Sequence, residues 1–312
     1  HYTNSPIKML ATSLFAVNKA QKTGKKTIKA IAYAQLSYII ASIGQNLLSK
    51  LYLKRATKLA EKSNDHRTII SVSTTKTIIM LSKTQWVGLE ALIDDTIDLV
   101  NLFGDRQQKE NTMKAQGDVL YYIGQIPDAS DVYQQIITSA KSRANIQHEC
   151  WGLNSTANSL IAIGSFHIAI SKLDRVGDLI QKIDDSAAQI SYHGLSAICQ
   201  FELDEFAKCA EHIDRFINLA KANPTKSFSA LSGYLSGTEA VLNMLLKYKT
   251  EKNHNIHKYD RIARQLFILL FKYCKPFKIA YPSLCRLSSR WALINRKPKQ
   301  AKQFLEKGLK YA

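Results

Sequence analysis

The 312-residue sequence predicts an all-α protein, organised as an α-solenoid of about seven helix pairs. Turn signals recur every forty residues, apolar residues follow them at helical spacing, and no segment alternates apolar and polar residues as a half-buried strand does. The turns stand at Gly44, Thr84, Gly124, Gly164 and Asp204. A fixed period of this length is typical of stacked helix pairs, which bury their apolar faces only against neighbouring pairs.

The helices that follow these turns share one pattern of apolar positions. A mostly small side chain stands five residues past each turn, at Ser49, Leu89, Ala129, Ala169 and Cys209. Larger side chains follow four and seven residues later, and this spacing places all three positions on one helix face. We expect the small residue to let two helices approach closely. The residues assigned to repeat packing are therefore Gly44, Gly124, Gly164, Phe166, Ala129, Ala169 and Ala301.

Taken in chain order, the apolar spacing predicts fifteen helices, near 6–21, 26–43, 47–63, 66–83, 87–103, 106–123, 127–143, 145–163, 166–183, 186–202, 205–222, 225–247, 256–274, 277–294 and 298–311. Asn64-Asp65 and Asp184-Asp185-Ser186 carry side chains that can cap helix N-termini. Asn223-Pro224 and Lys275-Pro276 can end one helix and permit the next to start. Gly233 and Gly237, four residues apart, predict a close helix crossing or a kink.

One irregularity interrupts the period near the C-terminal end. Arg296 begins a further unit but lies 92 residues past Asp204, which is more than two periods. We therefore expect an insertion loop in the polar stretch at 247–256, with a frayed helix end as the alternative. Apart from this loop, residues 1–312 are expected to form a single solenoid. The sequence begins at His1 without a methionine, and the expectation is a fragment of a longer chain.

The net charge of +18 is unevenly distributed. Residues 1–85 contain 14 Lys and Arg against 2 Asp and Glu, and residues 261–312 contain 13 against 1. The intervening residues 86–260 contain 16 against 22 and are mildly acidic. Basic ends of this kind can mark a surface for nucleic acid or for an acidic protein. The alternative is a lysine-rich composition in which the lysines only solvate the outer helix faces.

Cysteine usage and hydropathy bear on the cellular setting. The five cysteines are odd in number and irregularly spaced, which favours buried thiols in a reducing compartment over a disulfide framework. No apolar run is long enough to predict a membrane span, and no signal peptide is recognisable. A cytoplasmic location is therefore expected, without membrane contact.

No catalytic or metal-binding constellation is recognisable in the sequence. The segment Thr23-Gly24-Lys25-Lys26-Thr27 superficially suggests a phosphate loop, but it lacks both the preceding glycine and the hydroxyl residue after the lysine. His254 and His257 stand three residues apart without a set of further ligands at suitable spacing. We therefore expect no catalytic residue, no metal and no cofactor in this chain. Any catalytic domain would lie outside it.

Two segments resemble the tetratricopeptide repeat. Residues 163–170, with Gly164, Phe166 and Ala169, match the family's Gly-x-aromatic-x-x-Ala pattern, and residues 296–312 form a second match. The period of forty exceeds the family's usual value of about 34. The Trp151-Gly152-Leu153 segment at the start of a first helix is similar to the helical tails behind AAA-type ATPase modules in adenylate and guanylate cyclases and in ATPase–kinase fusions. This resemblance implies a regulatory or scaffolding arm.

The same resemblance implies which residues contact a partner, since first helices of such repeats line the concave face. The candidate partner-binding residues are Tyr38, Lys114, Tyr121, Trp151, Asn154, Asn158, Tyr192 and Tyr234. The wider set on these helices also contains Tyr33, Gln35, Lys76, Gln116, Asp118, His193 and Arg290. Tyr and Trp are efficient anchors at interfaces, and asparagine pairs can hydrogen-bond a peptide backbone. The alternative for each aromatic residue is packing between helices.

Two functions are therefore expected from the sequence. The first is a non-catalytic scaffold that binds a protein partner or other domains of the same polypeptide. The second is a helical repeat protein that associates with nucleic acid through its basic ends. Repeats that read nucleic acid one base at a time do so with two or three side chains per repeat. The period of forty differs from that of such repeats, and the centre of the chain is acidic. Both observations favour the protein-binding function over nucleic-acid binding.

Overall fold

The computed structural model describes residues 6–222 and 227–311, and within these ranges all regular structure is helical. The fifteen α-helices of the described residues are α1 (Pro6–Thr23), α2 (Lys26–Ser42), α3 (Asn46–Glu61), α4 (His66–Ser82), α5 (Leu89–Phe103), α6 (Arg106–Tyr122), α7 (Ile126–Ser142), α8 (Ile146–Ala162), α9 (Phe166–Ile180), α10 (Ser186–Glu202), α11 (Phe206–Ala222), α12 (Leu231–Thr250), α13 (Ile256–Cys274), α14 (Tyr281–Ile294) and α15 (Pro298–Leu309). Two short 3-10 helices, η1 (Phe228–Ala230) and η2 (Lys278–Ala280), precede α12 and α14. The predicted all-α class is confirmed.

Most helices end at residues with left-handed backbone conformation, and these residues recur every twenty positions along much of the chain. Their φ angles lie between 52° and 90°, at Gly24, Gly44, Asn64, Thr84, Gly124, Ala144, Gly164 and Asp204. A left-handed residue after a helix ends it while satisfying its last carbonyls. At Gly44, for example, the following Gln45 N–H donates to Ile40 O at 3.1 Å. All five predicted turns are confirmed, and the forty-residue period is two helix–turn units.

The predicted packing face of the odd-numbered helices is buried. Ser49, Leu89, Ala129, Ala169 and Cys209 are at most 2 % exposed, and Ala301 is 3 % exposed. The positions seven residues past each small one are buried as well, at Ala56, Thr96, Ile136, Val176 and Phe216. Leu53, four residues past Ser49, is only half-buried and departs from this pattern of burial. Phe166 is also half-buried, but it packs against the cluster of Ala157, Ala169 and Leu173.

Helices pack in chain order, each against the next, and the even-numbered helices α2 to α14 also contact their second neighbours. This arrangement is consistent with a helical repeat. The closest crossing joins α10 and α12, where Gly194 and Gly233 bring two backbones together. The predicted close approach at Gly233 is therefore confirmed. Gly237 instead makes room for the ring of Phe216.

Contacts also join the first third of the chain to the last third. The Tyr38 hydroxyl on α2 accepts a hydrogen bond from the Phe228 N–H at 3.3 Å. The Lys83 ammonium, just after α4, donates to the Pro276 carbonyl and to the Ala41 carbonyl. The largest apolar core cluster accordingly contains residues from α4 to α6 together with residues from α10 to α14. The two basic ends of the sequence therefore meet in space.

The predicted insertion loop at 247–256 is wrong in its extent. Residues 247–250 complete α12, Ile256 begins α13, and only residues 251–255 connect them. The additional residues lengthen helices because side chains at this end have partners: Tyr248 packs on Tyr259 at 5.1 Å between ring centroids, and the Lys249 ammonium donates to Ile294 O at 3.0 Å.

Some sequence predictions fall at the edge of what is described. The predicted helix start at 225 and the Asn223-Pro224 break lie outside the described residues, and α12 begins at Leu231 after η1. Asp65 and Asp185 are confirmed as N-caps, since each carboxylate accepts backbone N–H groups of the following turn. Among the described helices, none has the length and apolarity needed to cross a lipid bilayer.

Candidate functional site

Five of the eight candidate partner-binding residues line one cavity of about 50 Å³, which we call the α6–α8–α10 cavity. They are Lys114 and Tyr121 on α6 and Trp151, Asn154 and Asn158 on α8. The floor and far wall come from α10, η1 and the first turn of α12. The sequence pattern thus predicted part of the cavity wall, although these side chains belong to helices forty residues apart.

An ion pair forms one side of the cavity. The Lys114 ammonium lies 2.6 Å from both carboxylate oxygens of Asp118, one turn further along α6. The Tyr133 hydroxyl of α7 donates to Asp118 Oδ1 at 2.9 Å, and the Lys114 ammonium lies 5.5 Å from the centroid of the same ring. Burial and the negative charge of Asp118 raise the pKa of Tyr133, so that its hydroxyl remains a donor at neutral pH. Both charges of this wall are therefore satisfied internally.

Two glycines allow α6, α7 and α8 to approach closely enough to form the cavity. A Cβ on Gly117 would lie 2.4 Å from Tyr133 Cε1, so glycine is needed for the tyrosine ring to reach Asp118. A Cβ on Gly152 would lie 2.7 Å from Ile137 Cγ1, so α8 could not pack as closely on α7 with a larger residue. Gly152 follows Trp151 directly in α8.

Trp151 on α8 is held by Asp185, the N-cap of α10. Its indole N–H donates to Asp185 Oδ2 at 2.9 Å, and the Gln147 amide donates to the same oxygen at 3.1 Å. The other oxygen, Oδ1, accepts the N–H groups of Ala187 and Ala188 at 3.1 and 3.0 Å. Asp185 therefore caps α10 and fixes the indole of α8 at once, which makes Trp151 a rigid wall of the cavity.

The two asparagines of α8 lie one turn apart on the cavity side. Asn154 is 6 % exposed, and its amide N–H donates to the Ala188 carbonyl at 3.2 Å. Its side-chain oxygen is buried and has no protein donor within hydrogen-bonding distance among the described residues. Burial raises the pKa of Tyr121, and a hydrogen bond from Asn158 partly offsets this effect. An unsatisfied buried amide oxygen costs stability, and this oxygen has almost no accessible surface, so it is closed off from the cavity.

The remaining three candidates lie away from the cavity. Tyr38 faces η1 and accepts the Phe228 N–H. Tyr192 packs beside His193 and His212, with ring centroids 4.7 and 5.5 Å apart. Tyr234 is only 2 % exposed and stacks on Tyr273 at 4.2 Å. The assignment of Tyr234 to a partner-binding surface is therefore wrong, because the close α10–α12 crossing turns this side chain into the core.

Several cavity residues escaped the sequence analysis. They are Tyr122, Tyr133, Ser155, Ala188, Ser191, Phe228, Ser229, Leu231 and Ser232. Tyr133 occupies a position where the other repeats carry Leu or Ile, and this exception was the only available signal for it. Phe228 belongs to η1, between two helices, and no periodic pattern covers that segment.

The cysteine thiols and the possible metal ligands of the described residues were the remaining candidates for chemistry. All five cysteines are buried, and burial raises the pKa of the Cys150, Cys199 and Cys209 thiols to about 12, which keeps them protonated at neutral pH. No cluster of three or more His, Cys, Asp or Glu side chains in the described part of the chain could hold a metal ion. His193 and His212 do approach, with 3.0 Å between their Nδ1 atoms.

Comparisons with known proteins leave the family open. No protein-family model matches the chain, and no curated protein sequence matches it significantly. The fold itself is a sequentially packed array of helices, and the likeness to tetratricopeptide repeats rests on the residues of two units.

Proposed function

We propose that this protein is a non-catalytic scaffold of helical repeats that binds a polypeptide partner through the α6–α8–α10 cavity. The observation that carries the proposal is the convergence of Lys114, Tyr121, Trp151, Asn154 and Asn158 on that one cavity. Aromatic side chains held rigidly beside amide groups are the usual anchors of a protein-binding surface. The partner is a separate protein or another part of the same polypeptide.

The resemblance in Trp151-Gly152-Leu153 supports a more specific role within this proposal. The chain would serve as the regulatory helical arm of a larger signalling ATPase or nucleotide cyclase, in the cytoplasm, with the catalytic domains elsewhere. In that role the cavity would receive a segment of the catalytic modules or of a protein that controls them. The buried cysteine thiols are compatible with a reducing compartment.

The test is a capture experiment with a variant that fills the cavity. The chain is immobilised as bait in cell lysate, treated with nuclease and washed at high salt, and the retained proteins are identified. Asn158→Trp places a large ring at the half-buried edge of the cavity. Gln135→Trp on the exposed face of α7 is the matched control. Thermal unfolding of each bait establishes that both variants fold.

The proposal predicts at least one protein whose capture falls about tenfold or more with Asn158→Trp and is unchanged with Gln135→Trp. Because both variants add the same ring, a difference between them reports on the cavity and not on added hydrophobicity. Equal capture by all three baits would rule out the cavity as the binding site.

A second function is favoured by the meeting of the two basic ends. Lys83 lies close enough to Lys278 for their charges to interact, and burial together with this repulsion lowers the pKa of Lys83 to about 8. Lys275 and Lys278 are exposed beside it. Adjacent cations of this kind, contributed by residues almost two hundred positions apart, could contact the phosphates of a nucleic acid.

Fluorescence anisotropy with a single-stranded RNA oligonucleotide tests this second function. Binding through these cations would weaken steeply with salt, and the Lys275→Glu/Lys278→Glu double variant would weaken it further than Lys141→Glu, an exposed control in the acidic middle. Equal effects of the two variants would exclude the basic ends as a nucleic-acid site.

A further inference from the structure

We infer that the exposed side of α3, together with the turn between α4 and α5, binds the surface of an anionic phospholipid membrane. The residues of this surface, which we call the α3 patch, are Leu47, Leu48, Lys50, Leu51, Lys54, Arg55, Lys58, Trp86 and Val87. The inference goes beyond the proposed scaffold function, since the α3 patch shares no residue with the α6–α8–α10 cavity. The expectation of no membrane contact came from the lack of a spanning segment, and the exposed residues of α3 lead to a different conclusion.

Large apolar residues of α3 lie on its exposed side, whereas small residues lie in the core. The fully buried residues of this helix are Ser49, Ala56 and Ala60. Three leucines are exposed instead, at Leu47, Leu48 and Leu51. Leu47 is 88 % exposed, while Ser49, two residues further on, is 2 % exposed. A helix that only packs on the body of a protein turns its large apolar residues toward the core. A group of exposed leucines therefore marks an interaction surface.

A second pair of exposed apolar residues lies at the same edge of the array. Trp86 is partly exposed and Val87 is 96 % exposed, in the turn that joins α4 to α5. The Lys83 ammonium, just after α4, donates to the Ala41 carbonyl near the end of α2 at 3.4 Å. The turn after α4 therefore lies beside the turn that leads into α3. The exposed side chains of Leu47 and Val87 thus belong to neighbouring turns.

Cations alternate with the leucines on the exposed side of α3. Five residues share one stripe along the helix because their spacing follows its turns, namely Leu47, Lys50, Leu51, Lys54 and Lys58. The three lysines are exposed. Ion pairs among the described residues involve only residues from Glu110 onward. No carboxylate of the described residues neutralises this stripe, so its ammonium groups are open to the headgroups of anionic lipids.

The mixture of lysine and leucine in one stripe favours a membrane surface over a protein or a nucleic acid. The buried centre of a protein interface is depleted of charged residues, whereas lysines stand between the leucines of α3. A nucleic-acid backbone offers phosphates to the lysines but no apolar interior to the leucines. An anionic membrane accommodates both. Leucine and tryptophan side chains enter the boundary of the acyl chains, and lysine side chains extend back to the headgroups.

The nearest odd-numbered helices of the chain, α1 and α5, differ in charge and define the extent of the contact. The exposed carboxylates of α5 are Glu90, Asp94, Asp95 and Asp98. An anionic surface repels them. On α1, by contrast, Lys19 and Lys22 are exposed together with Leu14 and Phe15, and this helix contains no acidic residue. The membrane therefore approaches α3 from the side of α1 and not from the side of α5.

Co-sedimentation with phospholipid vesicles tests the inference. The full chain is mixed with vesicles of phosphatidylcholine alone, or with vesicles that also contain phosphatidylserine, and the bound fraction gives the partition coefficient. We expect partitioning to be about tenfold or more stronger onto the vesicles with phosphatidylserine, because each lysine near an anionic surface adds to the attraction. Added salt should weaken this partitioning, since it screens exposed charges.

Charge reversal within the stripe tests the role of its lysines. Lys54→Glu/Lys58→Glu should lower partitioning onto vesicles with phosphatidylserine by about tenfold or more. Lys141→Glu/Lys182→Glu makes the same change of net charge at exposed positions in the acidic middle of the chain. Because attraction to the surface falls off within a Debye length, this control should change partitioning by less than about twofold. Thermal unfolding establishes that both variants fold.

Replacement of an exposed leucine tests insertion of the apolar side chains. Leu47→Ser should lower partitioning by about threefold or more, whereas Leu102→Ser, at an exposed leucine near the end of the acidic α5, should leave it unchanged. Trp86 reports on insertion directly, since lipids brominated on their acyl chains quench a tryptophan that touches them. Quenching should disappear in Trp86→Phe and persist in Trp291→Phe.

Three results would overturn the inference. One is equal partitioning onto the two kinds of vesicle, or none onto either. Another is an equal loss in the two double variants, which would show attraction by net charge alone. The third is undiminished partitioning of Leu47→Ser without quenching of Trp86, which would assign the lysines of α3 to a phosphate polymer such as a nucleic acid. Capture of a protein that depends on Asn158 is measured without vesicles, so failure of the membrane contact leaves the proposed scaffold function standing.

Discussion

Gly194 and Gly233 bring the backbones of α10 and α12 into direct contact. A Cβ on Gly194 would lie 2.1 Å from the Gly233 carbonyl oxygen, and a Cβ on Gly233 would lie 2.4 Å from the Ile190 carbonyl oxygen. Such distances are incompatible with any side chain unless the helices separate. The crossing also positions Ser191 and Ser232, which belong to the wall of the α6–α8–α10 cavity. One glycine pair thus determines both the closest packing of the array and one side of the candidate site.

Gly233→Ala should therefore destabilise the protein strongly. The added methyl group would collide with backbone atoms of the opposing helix, and backbone atoms cannot rotate away as a side chain can. We therefore expect the free energy of unfolding to fall by about 3 kcal/mol or more. Urea denaturation monitored by circular dichroism measures it. Ser236→Ala, half-buried on the same helix, is the control and should change stability by less than about 0.5 kcal/mol. A Gly233→Ala variant as stable as this control would contradict the described crossing.

Large side chains at the buried alanine positions of α7 and α9 should also destabilise the protein. Ala129 and Ala169 are fully buried between helices, and Ala129→Trp or Ala169→Trp should each cost at least about 1–3 kcal/mol, because a ring must displace neighbouring helices. Gln135→Trp and Asp174→Trp add the same ring at exposed positions of the same two helices. Thermal melts compare the four variants. Melting curves of both buried variants that coincide with the parent would show that the repeat alignment is wrong.

Replacement of Thr84 by glycine should stabilise the protein. Thr84 has a φ of 57°, a left-handed conformation that disfavours a β-branched side chain, whereas three other turns of the period use glycine. The relief of backbone strain in the folded protein should outweigh the larger conformational entropy that glycine gives the unfolded chain. We therefore expect the free energy of unfolding to increase by about 0.5–1 kcal/mol. Chemical denaturation of Thr84→Gly and of the reverse change, Gly124→Thr, tests this idea: the two effects should have opposite signs, and equal signs would refute it.

The His193–His212 pair should make stability depend on pH. Burial and the proximity of the two rings lower the pKa of His193 to about 3, and burial lowers the pKa of His212 to about 4, both below the ordinary value of 6.5. As the pH falls below 6.5, the unfolded chain binds protons that the folded chain does not bind. Stability therefore decreases with falling pH, and we expect the pair to account for about 4 kcal/mol between pH 7 and pH 5.

His212→Gln should reduce this dependence by about 2 kcal/mol, since a neutral amide takes the place of one titrating ring. Unfolding free energies from urea titrations at pH 7 and pH 5 give the comparison. The control is His167→Gln, which removes an exposed histidine and should leave the difference between the two pH values as in the parent. If both variants kept the full dependence, the acid sensitivity would have another source.

The local features of this fold were predictable from the sequence. Helix positions, the turns at Gly44, Gly124 and Gly164, and the buried faces around Ala129 and Ala169 follow from periodicity, backbone conformation and residue size, which act over a few neighbouring residues. The part of the cavity wall that α6 and α8 supply was also predictable, because these helices repeat the same first-helix pattern and present their polar and aromatic residues on equivalent faces.

The tertiary structure decided which of these residues share a surface. Contacts between helices that are far apart in the sequence decide this, and no local pattern encodes them. They place Tyr38 of α2 against Phe228 of η1, 190 residues away, and set Lys83 beside Pro276. Packing between α10 and α12 likewise turns Tyr234 into the core, whereas Tyr121 lies on a cavity wall. The sequence by itself thus determined the period and the turns. The contacts between the first and last thirds of the chain, and the cavity, arise only when distant helices pack.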